Sequence, residues 1–513
     1  MKAKTLLSLF ALLLSWMPAS AFAELAGWTR GNVAIADGRG MGGAGTDRLS
    51  AETFSGAPVA GVMADPSMES EGVGADPVLS AEGSTVPQAA DPGGWVRKYP
   101  PQPRDVSAGA SDVAVDGAGN VYITGWIGTG VLTVKYDNAG KLQWARRFAG
   151  EGGAAGRCIA VDASGNVYVA GCIGSTPAVD IVAIKYSPDG VHQWARYYNG
   201  PTNQVDWAAA MAVDGSGNVY VTGVADQVAP GNSYVVTLKY SGNGELYWAS
   251  RHKGYISGGD ASRRSMALDA AGNVYVVAGH TLGENPSFFL LKYGTDGRLR
   301  WKRRYGGVPE IKWCVGFAVA VDDAGNAYVC GLTVRWDDET KYLIHKYRAN
   351  GTRQWERTPR FEPCTGTCWA SIAVDGSGNV YVVDISRGND LLCGFSTSKY
   401  DSNGDRQWKR RIHESTEDHS TSDWPAIAVD GPGAVYVTGG LSGQSIGSDI
   451  AAAKYDADGH LQWSKRYDGT GRHDTPSGIA FDAAGNAFVT GISYRTDAIF
   501  EAVTIKIPTD GGN

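Results

Sequence analysis

The strongest constraint in this sequence is an Asp-x-x-Gly turn that precedes a β-type run and recurs eight times. Asn follows the Gly in seven of the eight turns, and Ala434 stands there in the remaining one. A period of about 50 residues indicates a repeat architecture in which each unit is one supersecondary structure. The turns begin at Asp116, Asp162, Asp214, Asp269, Asp322, Asp375, Asp430 and Asp482.

Each repeat contains four short β-type runs. In the first repeat they are 113–115, 121–124, a run that ends in Lys-Tyr at 135–136, and 142–144. Four strands per repeat match one blade of a β-propeller. In the turns, the Asp side chain can accept backbone N–H groups and Gly can take a positive φ, so we expect tight hairpins.

The two ends of the repeat region decide the blade count. The run 95–99 has the features of a fourth strand but precedes any first strand, and the run 504–507 is a third strand with no fourth strand after it. Pairing these two runs would remove an open sheet edge. The sequence therefore predicts an all-β, eight-bladed β-propeller of four-stranded blades, closed by the N-terminal strand pairing into the last blade.

One Trp lies in each fourth strand, and we expect these rings to pack between neighbouring blades. The eight residues are Trp95, Trp144, Trp194, Trp248, Trp301, Trp355, Trp408 and Trp463. Basic pairs follow several of them, as at Arg146-Arg147, and are interpreted as edge charge that prevents strand-to-strand aggregation.

Three segments are predicted along the chain. Residues 1–23 have a basic start, a short apolar run and a small-residue cleavage site, as in a signal peptide. Residues 24–92 are rich in Gly, Ala, Ser, Pro and acidic residues, which favours a disordered linker or pro-segment. The propeller domain would then occupy 93–513. This order predicts a secreted or periplasmic protein, and no later run is apolar enough to span a membrane.

Charge narrows the choice of partners. The chain has 46 Lys and Arg against 53 Asp and Glu, so it lacks the basic excess of a nucleic-acid-binding protein. We expect a monomer that binds a glycan or a protein ligand.

Function on a repeat scaffold usually lies in the loops that vary between repeats. Six Trp outside the repeat pattern fall in or beside such loops, and aromatic rings near polar groups suit sugar or peptide recognition. The alternative is that these rings only pack against loop backbones. The predicted ligand-binding residues are Trp207, Trp313, Trp336, Trp369, Trp424, Asp206 and Asp423, and Trp126 is the sixth loop Trp.

A second candidate site is a loop with His413, Glu417 and His419, whose nitrogen and oxygen donors could bind a divalent metal. A solvated charged loop is the favoured interpretation, and no cofactor is predicted. Two disulfides are conceivable in an exported chain. Cys158 could pair with Cys172 across the turn at Asp162, and 364–368 could form a small loop closed by Cys364 and Cys368.

The segment 162–171, followed by Ile184-Lys185-Tyr186, resembles the bacterial SBBP-type β-propeller repeat. This resemblance implies the fold and is nearly silent on function. The second half of each repeat, as at 455–463, is also similar to the Trp-docking motif of PQQ quinoproteins. Dehydrogenases of that family typically carry adjacent cysteines, which this sequence lacks, so no catalytic residue is carried over.

These features favour an exported binding or scaffold β-propeller that recognises a glycan or protein through its varied loops. One alternative is a secreted enzyme, either a lyase or hydrolase acting on polysaccharide or a quinoprotein-like oxidoreductase. Another is a purely structural spacer. No catalytic residue is assigned, and a non-catalytic role is favoured.

Overall fold

In the residues that it describes, a computed structural model shows 32 β-strands arranged in eight four-stranded antiparallel sheets. It describes residues 93–512 except 101–105, 151, 177, 228–232, 257–263, 281–285, 338, 360–368, 388–392, 414–424, 443–447, 470 and 497. Within these limits no α-helix is present, and no helix is long and apolar enough to cross a membrane.

The strands are numbered in chain order, and β1 is Trp95–Tyr99. Blade 1 contains β2 (Ala108–Val115), β3 (Val121–Ile127), β4 (Gly130–Tyr136) and β5 (Leu142–Ala149). Blade 2 contains β6 (Ala154–Val161), β7 (Val167–Ser175), β8 (Ala178–Tyr186) and β9 (His192–Tyr198). Blade 3 contains β10 (Val205–Val213), β11 (Val219–Gln227), β12 (Tyr234–Tyr240) and β13 (Leu246–Lys253). Blade 4 contains β14 (Met266–Leu268), β15 (Val274–His280), β16 (Ser287–Tyr293) and β17 (Leu299–Gly306).

The second half follows the same plan. Blade 5 contains β18 (Ile311–Val321), β19 (Ala327–Arg335), β20 (Thr340–Tyr347) and β21 (Arg353–Arg357). Blade 6 contains β22 (Ala370–Val374), β23 (Val380–Arg387), β24 (Cys393–Tyr400) and β25 (Arg406–His413). Blade 7 contains β26 (Ala426–Val429), β27 (Val435–Ser442), β28 (Ser448–Tyr455) and β29 (Leu461–Tyr467). Blade 8 contains β30 (Asp474–Phe481), β31 (Ala487–Thr496), β32 (Ile499–Ile507) and β1.

The blades form a closed ring through their first strands. Each first strand contacts the first strand of the next blade, from β2 to β6 and onward to β26 and β30, and β30 contacts β2. In the last blade β1 pairs antiparallel with β32, with Trp95 opposite Lys506 and Tyr99 opposite Ala502. The predicted eight-bladed architecture and its closure by the N-terminal strand are both confirmed.

The Asp-x-x-Gly turn is built around one carboxylate. Asp116 Oδ1 accepts the backbone N–H groups of Ala118 (3.0 Å) and Asn120 (2.9 Å). Its Oδ2 accepts the Asn120 side chain (2.8 Å) and the Tyr122 hydroxyl (2.9 Å). Burial opposes ionisation of Asp116, but these hydrogen bonds outweigh it and hold the carboxyl pKa below its ordinary value. The Asn and the Tyr of the repeat are therefore partners of the Asp.

A second hairpin, between the third and fourth strands, holds each blade to the one before it. In blade 2 the Pro188 carbonyl oxygen accepts both Trp144 Nε1 (2.9 Å) and Lys135 Nζ (3.1 Å) from blade 1. Gly190 has a φ of 76°, and a Cβ atom there would lie 2.6 Å from the Trp144 ring. Arg146 Nε donates to the Gly190 carbonyl (2.7 Å), and its guanidinium lies 5.6 Å from the Trp144 ring centroid.

This docking arrangement recurs around the ring. Seven of the eight repeat Trp residues donate Nε1 to a carbonyl of the next blade, at 2.9 to 3.1 Å. The eighth, Trp463, packs against Gly511, and its Nε1 has no acceptor among the described residues. The prediction that the Trp rings pack between blades is therefore correct.

The basic pairs need a correction. Arg146, Arg303 and Arg410, the first members of three such pairs, donate Nε to the Gly carbonyl of the next blade. The interpretation of these pairs as edge charge alone is therefore wrong. The first Arg of each pair stabilises the junction between blades, because it stacks on the Trp ring and caps a backbone oxygen.

The glycine under the Trp ring can be tested by substitution. Gly190→Ala would place a methyl group against Trp144 and force Ala into a left-handed backbone, which should lower the free energy of unfolding by about 2–4 kcal/mol. Gly117 is the matched control, because a Cβ atom there meets nothing within 4 Å. Gly117→Ala should change stability by less than about 1 kcal/mol in the same urea-unfolding measurement. Equal losses in the two variants would contradict the docking account.

Candidate functional site on the varied-loop face

The two faces of the ring differ in their connections. Turns between first and second strands, and between third and fourth strands, are short and alike. We call the opposite side the varied-loop face. It consists of the loops that join second to third strands and the loops that lead from one blade to the next. Because these loops do not follow the repeat pattern, they are where ligand-binding residues are expected.

Trp336 is the most exposed large hydrophobic side chain in the described part of the chain, with 68% of its surface accessible. It lies in the turn between β19 and β20. Its Nε1 donates to the Pro309 carbonyl (2.9 Å), and its backbone N–H donates to the Glu310 carbonyl (3.2 Å). These two bonds fix the Trp336 ring to the loop that leads into blade 5, while the ring surface stays open to solvent.

Charged residues flank Trp336 in the sequence. Arg335 Nε lies 3.7 Å from Asp337 Oδ2 and 3.6 Å from Glu339 Oε2, and Lys341 Nζ lies 3.4 Å from Glu339 Oε1. All four side chains are more than one third exposed, so their ion pairs contribute little to stability. Their charged groups are therefore accessible to solvent.

Trp207 lies in a different setting, near the start of β10. The Arg157 guanidinium from blade 2 lies 4.9 Å from its ring centroid, and Tyr255 meets it edge-on at 6.5 Å between centroids. The ring is half-buried. These contacts could not be predicted from the sequence, because Arg157 lies in blade 2, Trp207 in blade 3 and Tyr255 between blades 3 and 4.

Asp206 is buried beside Trp207. Its Oδ1 accepts the backbone N–H of Asp226 (2.7 Å), and its Oδ2 accepts that of Gly200. Burial raises the pKa of Asp206 to about 6. Because the side chain is 0% exposed, the predicted direct role of Asp206 in ligand contact does not fit this geometry. Asp206 instead connects the loop before β10 to the end of β11.

Three other loop Trp residues are packing residues. Trp126 meets Phe500 edge-on at 6.0 Å, and Trp369 is buried against Phe317 at 5.5 Å. Trp313 is partly buried against the same hydrophobic cluster of blades 5 and 6 as Trp369. At these three positions the structure agrees with the alternative interpretation, in which the loop Trp rings serve packing. Trp424 and Asp423 lie outside the described residues.

The other predicted sites have mixed outcomes. His413 ends β25, but its side chain, Glu417 and His419 lie outside the described part of the chain. The same is true of Cys364 and Cys368.

The Cys158–Cys172 disulfide is not formed, and this prediction is wrong. In the register of β6 and β7, Cys158 lies opposite Ala170 and Cys172 lies opposite Ala155. Cys158 Sγ instead donates to the Ala209 carbonyl of blade 3 (3.3 Å), and burial raises the pKa of the Cys172 thiol.

Comparison with known families gives a match at two places. The SBBP model, described as a beta-propeller repeat, matches residues 193–226 and 462–494. At these two places the chain is similar to the SBBP β-propeller repeat. Both matched segments run from a fourth strand into the next blade, and so include the repeat Trp and the Asp-x-x-Gly turn. No curated protein sequence matches the chain significantly.

Solved structures with similar folds are distant in sequence. A polysaccharide lyase is 8% identical, with 78% of this chain and 90% of that chain covered and a TM-score of 0.44. The β-propeller domain of the Trilobed protease from Pyrococcus furiosus is 10% identical, with 69% and 95% covered and a TM-score of 0.39. An α-L-arabinofuranosidase from Fusarium graminearum is 9% identical, with 60% and 96% covered and a TM-score of 0.35. The likeness extends to the fold and to no activity.

The buried Asp206 gives a pH-dependent prediction. The folded chain holds this proton with a pKa of about 6, well above the value of an unfolded Asp. The stability it contributes is therefore fully present below about pH 4 and is lost as pH rises through 6. Asp206→Asn cannot ionise, so the stability of the wild type relative to this variant should fall by about 1–3 kcal/mol between pH 4 and pH 7.

Urea unfolding at several pH values measures this difference. Asp116→Asn is the control, because the lowered pKa of Asp116 places its titration below this range. A difference between wild type and Asp206→Asn that stays constant from pH 4 to pH 7 would contradict the assignment.

Proposed function

We propose that this protein is a glycan-binding β-propeller that uses Trp336 on the varied-loop face of blade 5 as a stacking platform. The observation that carries the proposal is the combination of exposure and fixation at Trp336. The ring is 68% exposed, yet its Nε1 is held by the Pro309 carbonyl. A large exposed apolar ring costs free energy in water, and a bound ligand would recover part of that cost.

Fixation of the ring favours binding. A side chain that is already ordered loses little conformational entropy when a ligand arrives, so more of the contact energy appears as affinity. Aromatic side chains with few rotatable bonds serve binding surfaces for this reason. The hydrogen bonds from Trp336 to the neighbouring loop place its ring in this class.

The surroundings of Trp336 favour a sugar over a purely apolar ligand. A pyranose ring presents C–H groups on its faces and hydroxyl groups around its edge. The Trp336 ring offers the apolar surface, and its exposed sequence neighbours Arg335, Asp337 and Glu339 carry donors and acceptors. Val308, which is 44% exposed, is a second apolar side chain on the loop whose Pro309 carbonyl holds Trp336.

The test is binding to a panel of neutral and acidic polysaccharides by affinity electrophoresis, followed by calorimetry with the best ligand. Trp336→Ala should weaken binding at least about tenfold, as expected for a central aromatic contact. Tyr247→Ala is the matched control, because Tyr247 is also an exposed aromatic residue (56%) but lies on the outer strand β13. It should bind like the wild type.

Two outcomes would overturn this proposal. One is polysaccharide binding that survives Trp336→Ala unchanged, which would place the site elsewhere. The other is absence of binding across the panel, together with capture of a specific protein ligand that depends on Trp336, which would assign the platform to protein recognition.

A further inference from the structure

Two buried carboxylates occupy the same position in different repeats. Asp206 and Asp474 each lie eight residues before the Asp of their Asp-x-x-Gly turn, at the start of the first strands of blades 3 and 8. Both are 0% exposed. Each accepts a backbone N–H from a Gly in the preceding loop, Gly200 for Asp206 and Gly469 (2.6 Å) for Asp474.

The two carboxylates differ in their second oxygen. Asp206 Oδ1 accepts the backbone N–H of Asp226, so the protein itself satisfies it. Asp474 Oδ1 is buried and receives no hydrogen bond of normal geometry from the described residues. Asp449 Oδ1 is in the same condition, and its side chain is also 0% exposed. A buried carboxylate oxygen without a partner is costly unless a ligand satisfies it.

These oxygens belong to one cluster. Carboxylate oxygens of Asp449, Asp468 and Asp474 all lie within 4.8 Å of one another. Ser493 Oγ, which is also buried, lies beside them and interacts with the Asp474 carboxylate. It is 2.6 Å from the position that a Cβ atom of Gly469 would take, and Asp474 Oδ1 is 3.1 Å from that position. The residues come from β28, the loop after β29, and strands β30 and β31.

The charges of the cluster are only partly balanced. Arg466 pairs with Asp449 through Oδ2, and Lys98 pairs with Glu501 (3.4 Å) on the neighbouring strand. Lys98 also interacts electrostatically with Asp474, so Arg466 and Lys98 offset part of the negative charge of the three carboxylates. A divalent cation would offset the remaining negative charge.

We propose that Asp449, Asp468, Asp474 and Ser493 form a Ca²⁺ site at the junction of blades 7 and 8. All four donors are oxygen atoms, which are the ligands of a hard cation. They come from separate strands and a loop in an irregular arrangement, which suits the flexible coordination of Ca²⁺ better than the strict octahedron of Mg²⁺. Asp468 is exposed and gives the ion and its remaining water ligands a path to solvent.

The position of the site gives it a structural consequence. The Tyr467 ring, next to Asp468 in the chain, lies 5.9 Å from Lys98 Nζ of the closing strand β1. The proposed ion would connect blade 7 to blade 8, the blade that contains both ends of the ring. Ca²⁺ should therefore stabilise the closed ring by binding the folded state alone.

The experiment compares thermal unfolding of the full chain in EDTA, in CaCl₂ and in MgCl₂. At a Ca²⁺ concentration about 100-fold above the dissociation constant, the Tm should rise by about 2–5 °C. MgCl₂ should give a smaller rise. Terbium luminescence excited through the nearby Tyr467 should report binding directly, and added Ca²⁺ should reduce it.

Two variants locate the effect. Asp468→Asn keeps an acceptor for the Gly471 N–H but removes an exposed ligand charge, so it should fold and lose the Ca²⁺-dependent rise in Tm. Asp206→Asn changes the equivalent position of Asp474 in blade 3 and should keep the full rise. The proposal is overturned if the wild type shows neither a Tm rise nor terbium binding, or if Asp468→Asn responds to Ca²⁺ as the wild type does.

Discussion

Neighbouring blades of this propeller are joined by a recurring hairpin contact. A backbone carbonyl and a glycine of positive φ receive the Trp and, at most junctions, the Lys and Arg of the preceding blade. At the first junction Trp144 Nε1 and Lys135 Nζ share the Pro188 carbonyl, and the Trp ring lies against Gly190. The indole and ammonium groups keep hydrogen bonds while their apolar parts are buried. Such side-chain contacts help to hold the ring together, because the eight sheets are not hydrogen-bonded into one continuous sheet.

The contacts at this junction explain which residue types recur in the repeat. The Asp, Asn and Tyr of the first hairpin form one hydrogen-bonded unit, and the Lys of the third strand lies over the same Tyr ring, as Lys135 lies 5.2 Å from the Tyr122 centroid. Stability of such an array is roughly a sum of repeat terms and neighbour terms. The junction of blades 7 and 8 lacks the Trp hydrogen bond of the other junctions, since Trp463 Nε1 has no acceptor in the described part of the chain. The proposed Ca²⁺ site lies at that same junction.

The fold could be predicted from sequence because its determinants repeat eight times and each one has a local cause. The closing strand followed from the mismatch between 95–99 and 504–507. For the candidate site, only the face of the ring on which it lies could be predicted from the sequence. Whether a loop Trp packs or stays exposed depends on residues far from it in the sequence. Phe317 packs against Trp369, whereas the Pro309 carbonyl holds Trp336 while its ring stays exposed. The cluster of Asp449 and Asp474 could likewise not be predicted, because their spacing in the sequence does not indicate that β28 and β30 lie close together.

The central claim is that the N-terminal strand is an integral part of the last blade and closes the ring. Hydrogen exchange of the folded protein, followed by mass spectrometry of proteolytic peptides, tests it most directly. If β1 is paired as its register with β32 requires, a peptide covering Trp95–Tyr99 should exchange as slowly as one covering the equivalent outer strand of blade 1, Leu142–Ala149. Fast exchange across Trp95–Tyr99 beside a protected Leu142–Ala149 would contradict the closed ring.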